Sequence, residues 1–278
     1  VIVRIGPREH VNGLFVYPDQ LVGVLFKISI MSTSSRIEWT EITWNPTTGC
    51  DKISTGCKFC YAEVMTRRLK GMGQEKYQDG FKLRIHEDEL KRPYKWRGSR
   101  MVFVDSMSDL FHHDVPFDFI DRVMKVIREN PQHTFQVLTK RSSRLLDYEW
   151  IGPRTPWPEN LWLGVSVESE LYTKRITDLS ATTAHTKFLS LEPLLGPIEN
   201  MQLGMIDWVI VGGESGRKPR PMREEWVTSI RDQCARAGVK FFFKQWGGKN
   251  KKESGRLLQG RTYDEIPERL PIKLHDQK

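Results

Sequence analysis

Three of the four cysteines, Cys50, Cys57 and Cys60, fall within eleven residues, in the stretch Cys50-Asp-Lys-Ile-Ser-Thr-Gly-Cys57-Lys-Phe-Cys60-Tyr61. Three thiolates on one loop hold three corners of a metal or cluster and leave one position open. A reactive centre needs that opening, whereas structural zinc sites are usually closed by four protein ligands. A structural zinc site would call for a second Cys-x-x-Cys pair or closely spaced histidines. The chain offers one such pair, and His86 and the His112-His113 pair lie far off in sequence. The histidine pair reads as solvated or substrate-facing. Cys234 has a simpler explanation: Trp226, Ile230, Cys234 and Ala237 recur at helical spacing, which puts it on the apolar stripe of a helix.

The elements that must position this loop alternate along the chain. Strands are expected at Thr43–Asn45, Met101–Asp105, Thr134–Leu138, Leu161–Val167, Lys187–Leu191, Asp207–Val211 and Lys240–Phe243. Several are almost continuously apolar, as parallel strands buried on both faces are. Helices are expected at Phe59–Leu69, Phe117–Asn130, Ser142–Tyr148, Glu170–Leu179 and Glu224–Ala237, the last stopped by Gly238. Six or seven such units indicate an α/β fold with a parallel sheet, either doubly wound or a partial to near-complete (β/α) barrel.

Each strand is followed by compact polar groups: Asp105, Ser106, Ser108 and Asp109; Lys140 and Arg141; Ser166 and Glu168; Glu192; Gly212, Gly213 and Glu214; Lys244 and Gln245. In a parallel barrel these ends share one rim, where active sites are built. The cysteine loop follows the first strand and opens on the same rim. A metal-assisted nuclease built on Asp105, Asp109, Glu192 and Glu214 is a second use of these groups, but it leaves the cysteines unexplained.

The 278 residues carry 43 Lys and Arg against 35 Asp and Glu, a mild lean toward polyanionic partners. Residues 1–30 read as a non-native or disordered extension, because Met31-Ser-Thr-Ser-Ser has the look of an ordinary start. Residues 31–248 form the barrel domain, and 249–278 read as a basic, solvated tail. No stretch is long and apolar enough to cross a membrane. A three-cysteine cluster in such a chain points to the reducing cytoplasm.

The cysteine loop resembles that of the radical S-adenosylmethionine (SAM) superfamily, although the usual spacing there is Cys-x3-Cys-x2-Cys and here the first gap is six residues. The wider pattern is similar to the phage-associated three-Cys-motif family, a radical SAM-like group. It comprises Trp44-Asn45-Pro46, Gly56-Cys57-x-x-Cys60-Tyr61-Ala62, Leu138-Thr-Lys140-Arg141, Gly164-Val-Ser166-Val-Glu168, Leu191-Glu192-Pro193, and Gly212-Gly-Glu214-Ser-Gly216 with Arg220-Pro-Met222. The resemblance runs from about Arg36 to Gly247. It implies a TIM-barrel-like iron–sulfur enzyme that binds a 4Fe–4S cluster through Cys50, Cys57 and Cys60, cleaves SAM reductively, and abstracts hydrogen from its substrate with a 5′-deoxyadenosyl radical.

By the same resemblance Phe59 packs against the adenine of SAM. Ser106, Ser108 or Asp109 holds its methionyl amine, Ser166 meets the ribose or the methionyl carboxylate, Glu168 meets the ribose, and Gly212 and Gly213 let backbone approach the nucleoside. The Gly-Gly-Glu at Gly212 to Glu214 follows the sixth strand, not the second, and does not take the amine-binding role. Lys140, Arg141, Glu192, Glu214 and Arg220 are the substrate-side candidates. The charge on the rim suits nucleic acid or another phosphate-rich substrate. An electron-donor protein and a phage-encoded partner complete the expected partners. A non-catalytic phage binding module stabilised by zinc or a cluster is the alternative from a different class.

Overall fold

The computed structural model describes residues 37–152 and 155–269. The expected N-terminal extension and the start at Met31 lie outside the described residues.

Seven strands form one parallel sheet in chain order. They are β1 (Ile42–Trp44), β4 (Met101–Val104), β5 (Thr134–Thr139), β6 (Leu161–Ser166), β7 (Thr186–Leu191), β8 (Trp208–Gly212) and β9 (Lys240–Gln245). Each pairs with its predecessor in this order, and β1 and β9 remain the two edges. The sheet is therefore a curled, open parallel barrel, as the alternating pattern predicts. Its strands fall within one or two residues of the apolar runs that announced them. The connecting helices are α1 (Tyr61–Gly71), α2 (Phe117–Arg128), α3 (Ser142–Ile151), α4 (Lys174–Ser180) and α5 (Glu224–Ala237). The helix expected over Glu170–Leu179 is divided: a 3-10 turn at Glu170–Tyr172 precedes α4. Besides these, β2 (Thr47–Thr48) pairs antiparallel with β3 (Arg84–Ile85), a short ribbon on either side of the cysteine loop.

Alternation along the strands separates two cores. Val102, Leu163, Leu189, Val209 and Phe243 face outward and pack with Ile120, Val123, Ile127, Leu145, Ile176, Ile230 and Cys234 of the helices. Cys234 is fully buried there, as its helical spacing implies. Residues of the opposite parity, Phe103, Trp162, Phe188, Trp208 and Phe242, fill the concave side with Trp39 inserted among them. Gly164 belongs to this inner row because a side chain there would stand 2.5 Å from the ring of Phe188.

Within the expected tail, residues 255–265 are not a solvated appendage. Leu258 and Tyr263 are buried in the outer core. The backbone N–H of Phe243 donates to Tyr263 O at 2.9 Å, Asp264 bridges antiparallel to Phe242, and Trp208 Nε1 donates to Glu265 O at 2.8 Å. This segment covers the edge of β9, a placement that its polar composition conceals.

Candidate functional site

The parity that sets aromatic rings on the concave side continues upward into polar residues. Asp105, Lys140, Ser166, Glu168, Ser190, Glu192, Glu214 and Lys244 all follow inner-row positions at the C-terminal ends of their strands. The cysteine loop leaves β1 and reaches across this rim. Its entry is fixed at Gly49, whose φ of +85° is left-handed and whose missing side chain leaves room for the carbonyl of Lys82. The hydroxyl of Ser108 donates to Gly49 O at 2.6 Å, and the N–H of Cys50 donates to Phe81 O at 3.1 Å.

Three other loops then strap the cysteine segment. Arg141, after β5, donates to Cys50 Sγ at 3.3 Å and to Asp51 O at 3.4 Å, while its Nη1 also meets Asp109 at 3.0 Å. Glu168, after β6, accepts from Ser54 Oγ at 2.5 Å, and Tyr172 Oη accepts the N–H of Thr55 at 2.9 Å. Gly56 lies directly over that carboxylate: a Cβ at this position would come within 2.4 Å of Glu168 Oε1. Arg220, after β8, donates from Nη1 to Thr55 O at 2.9 Å and passes over the ring of Phe59 at 5.5 Å. Its guanidinium is held in turn by both oxygens of Glu214.

The thiols are half-buried and free. Burial pushes Cys50 up to about 11, with Asp109 adding to the rise and Arg141 opposing it. Burial also works against ionising Cys57. There the hydroxyl of Ser54, backbone groups and the charge of Lys140 outweigh it, and the thiol sits below its ordinary value. Cys60 is raised by burial despite hydrogen bonds from the backbone of Glu63 and Ala62, at the start of α1. Cys57 interacts electrostatically with both other cysteines.

Glu168 has no exposed surface. Its burial would raise the pKa, but Lys140 at 2.7 Å, Ser54 and Arg175 at 2.9 Å bring it below the ordinary carboxylate value. It is an internal anion that ties β5, β6, α4 and the cysteine loop together.

The expected site residues thus share one rim, yet many of them already have protein partners. Asp109 accepts from Phe111 N, Thr139 Oγ1, Lys140 N and Arg141, so no oxygen is left over for an amine. Ser106 Oγ donates to Asn45 and its carbonyl accepts from Tyr61, while Ser108 is bonded to Gly49. The backbone of Ser166 accepts from Arg175 at 2.7 Å. Gly213 makes its close approach to the carbonyl of Trp246, and Gly212 makes room for Glu192. Glu192 pairs with Lys244 at 2.8 Å. Phe59 is partly exposed beside Lys58 and Arg220.

The four carboxylates of the nuclease reading are also dispersed. Asp105 receives the N–H and hydroxyl of Thr47, and Asp109, Glu192 and Glu214 each have their own cation. Of the positioning residues, Lys244 stands among the polar groups that follow the strands, whereas Ser54 and Tyr172 escape a reading of the sequence because their partners Glu168 and Thr55 are remote in the chain.

Among the described residues, one set of metal-ligating side chains has all its donor atoms within 4.8 Å: Asp51, His112 and His113. His112 Nδ1 accepts the N–H of Asp114 at 3.2 Å, so its proton sits on Nε2 and is shared with Asp51 at 2.9 Å. That tautomer turns an N–H, not a lone pair, toward the carboxylate. The His112 and His113 rings are stacked at 4.3 Å, which does not aim their lone pairs at a common point.

A family pattern described as "Protein of unknown function (DUF5131)" matches residues 34–267, most of the chain. The chain belongs to the DUF5131 family. No curated protein matches it. Two similar solved structures are of spore photoproduct lyase. A double mutant with bound AdoMet and dinucleoside spore photoproduct is 12% identical over 72% of this chain and 62% of that one, with a TM-score of 0.41. A complex with dinucleoside spore photoproduct is 12% identical over 76% of this chain and 78% of that one, with a TM-score of 0.45. The chain thus spans less than two thirds of the first of these. The family shown is DUF5131, and none of these matches carries the phage-associated name that the motifs suggested. No helix among the described residues is long and apolar enough to cross a membrane.

Proposed function

We propose that this DUF5131 member is an iron–sulfur, SAM-dependent radical enzyme acting on a phosphate-rich substrate, with nucleic acid the first class to test. The observation that carries the reading is the strapped loop. Three half-buried thiols come from one segment at the catalytic end of an open parallel barrel, and that segment is braced from β5, β6 and β8.

The donor set fits a 4Fe–4S cluster. It offers three thiols and leaves one position free, and Arg141 and Lys140 stand beside Cys50 and Cys57 to offset the charge of bound thiolates. Cys50, Cys57 and Cys60 would hold it; when bound, such a cluster supplies the electron that opens the sulfonium of SAM. The chain's own residues keep the setting rigid. Arg141 donates to the sulfur of Cys50, Glu168 and Tyr172 fix Ser54 and Thr55, and Arg220 fixes Thr55 from the far side. Phe59 and Ser166 remain on the rim as contacts for the nucleoside. Arg217, Lys218 and Arg223, all exposed in and after the loop that follows β8, are the cations for substrate phosphates. A reducing cytoplasm suits thiols of this kind.

The test is anaerobic reconstitution followed by EPR of the dithionite-reduced protein, with and without SAM. A 4Fe–4S signal that changes on addition of SAM is expected. Tightly bound zinc with no iron or sulfide would overturn the reading in favour of a binding module.

A further inference from the structure

Helix α1 buries the fewest residues of the five connecting helices. It buries only Ala62 and Thr66, with Leu69 partly covered, against a small cluster of Tyr77, Met107 and Phe81. By contrast, α2 buries six residues. A second face of α1 carries Tyr61, Val64, Met65 and Arg68, continued by Met72 at the C-cap, spaced by three, one, three and four, which is the spacing of a single helical stripe. Its apolar members are 56%, 58%, 39% and 62% exposed in that order. Ile53 of the cysteine loop, which leads into α1, is also 43% exposed. Scattered exposed apolar residues need no explanation, but a helical stripe of them in continuity with a functional loop does.

The charged side chains of α1 and of the cysteine loop before it are mostly basic. Lys52, Lys58, Arg67, Arg68 and Lys70 are exposed, and the only acid on α1, Glu63, is engaged by Lys52 at 2.9 Å and Arg67 at 3.7 Å. Among the described residues no carboxylate lies within 4.0 Å of Lys58, Arg68 or Lys70. Aliphatic and Met side chains at the centre with cations at the margin make a protein-binding composition. Tyr61 at one end of the stripe is a platform on which a base could stack, but the centre at Val64 and Met65 is not.

Position identifies the partner. Cys60 is the N-cap of α1, and Phe59 and Tyr61 flank it on the exposed side. The chain has four cysteines, and the fourth is buried alone in α5. No second cysteine set is present to relay electrons internally, so an electron must reach Cys50, Cys57 and Cys60 from outside.

We infer that the outer face of α1, centred on Val64 and Met65 and bordered by Lys58, Arg68 and Lys70, docks an acidic one-electron donor protein. This rests on the redox reading of the three cysteines. The donor is oxidised by one electron and the centre on the cysteines is reduced by one, with no bond or proton exchanged.

The experiment measures binding of the full-length chain to two probes, an acidic flavodoxin and an acidic 2Fe–2S ferredoxin, by interferometry at low and near-physiological ionic strength. Substitution at exposed positions leaves the fold intact, so Val64→Glu and Met65→Glu are informative variants. At least one probe is expected to bind, weaken as salt rises, and lose about tenfold or more in affinity with Met65→Glu. In reconstituted protein the same variant should slow reduction by the protein donor and leave reduction by dithionite unchanged.

Binding of neither probe, or binding insensitive to both salt and Met65→Glu, overturns the docking site. Loss of single-stranded oligonucleotide binding in Met65→Glu, with donor binding intact, also overturns it and gives the face to nucleic acid. Iron content separates the two levels: no iron after reconstitution overturns the redox reading beneath the inference, whereas iron without docking overturns the inference alone.

Discussion

Arg220 uses its guanidinium in two directions, and that defines its role. Two edges are fixed by the carboxylate of Glu214, and the remaining Nη1 reaches Thr55 O, two residues before Cys57. Lysine cannot reproduce a fork of this kind. If the cysteines hold the proposed cluster, Arg220→Lys should keep the fold and release its iron to a chelator about 10–100-fold faster, the usual size of an effect from residues that orient ligands. Unchanged iron release would reduce Arg220 to a surface residue.

Asp105 offers a different test. Burial pushes its carboxyl up to about 7, against hydrogen bonds from Thr47 and the charge of Lys76, with Asp109 adding to the rise. A raised acid holds its proton more tightly folded than unfolded, where the pKa is about 3.9. Its contribution to stability is complete below about pH 4 and is lost as pH rises through about 7. Asn at this position keeps an acceptor for the Thr47 N–H and tolerates the left-handed φ of +55°. Melting temperatures of Asp105→Asn and parent should coincide near pH 4 and diverge near about pH 8, with the variant higher. A parallel offset at all pH values would refute the assignment.

Among the elements, those that show in the sequence are buried on both sides. Met101–Val104 and Trp208–Gly212 have no exposed position, so their apolar runs are unbroken and the strands are legible. Elements two residues long leave no such trace. The β2–β3 ribbon is specified by Gly49 and by backbone pairing that no periodicity announces. Residue type and spacing single out the cysteine loop as a candidate site, but not the groups that strap it. Lys140–Glu168, Ser54–Glu168 and Arg220–Thr55 join different loops, and pairing between distant positions cannot be read from one sequence. Packing between adjacent strands is equally hidden, and Gly164 tests it. A methyl group there meets the Phe188 ring at 2.5 Å, so Gly164→Ala should cost about 1–3 kcal/mol by overpacking. Urea unfolding measures this, and the double variant Gly164→Ala with Phe188→Leu should recover part of it.

At the scale of the whole molecule, an open parallel sheet has two edges to protect, and the chain uses its C-terminal stretch for one of them. Backbone groups of Phe243 and Phe242 pair with Tyr263 and Asp264, and the N–H of Phe241 donates to the carboxylate of Glu265. Arg231 of α5 reaches the hydroxyl of Tyr263 at 3.2 Å, which locks the segment to the helix layer. Composition hid this because the segment is mostly polar, with Leu258 and Tyr263 the only buried hydrophobics among its described residues. An unprotected edge strand is a template for intermolecular pairing. A chain ending at Ser254 exposes that edge together with the Trp208 indole N–H, which now donates to Glu265 O. It should aggregate on expression, while Tyr263→Ala should remain folded and lose about 3–5 kcal/mol, as other large aromatic truncations do. Size-exclusion chromatography and urea unfolding read the two effects separately. If the truncated chain stays monomeric and as stable as its parent, the segment is an ornament on the barrel and not part of its core.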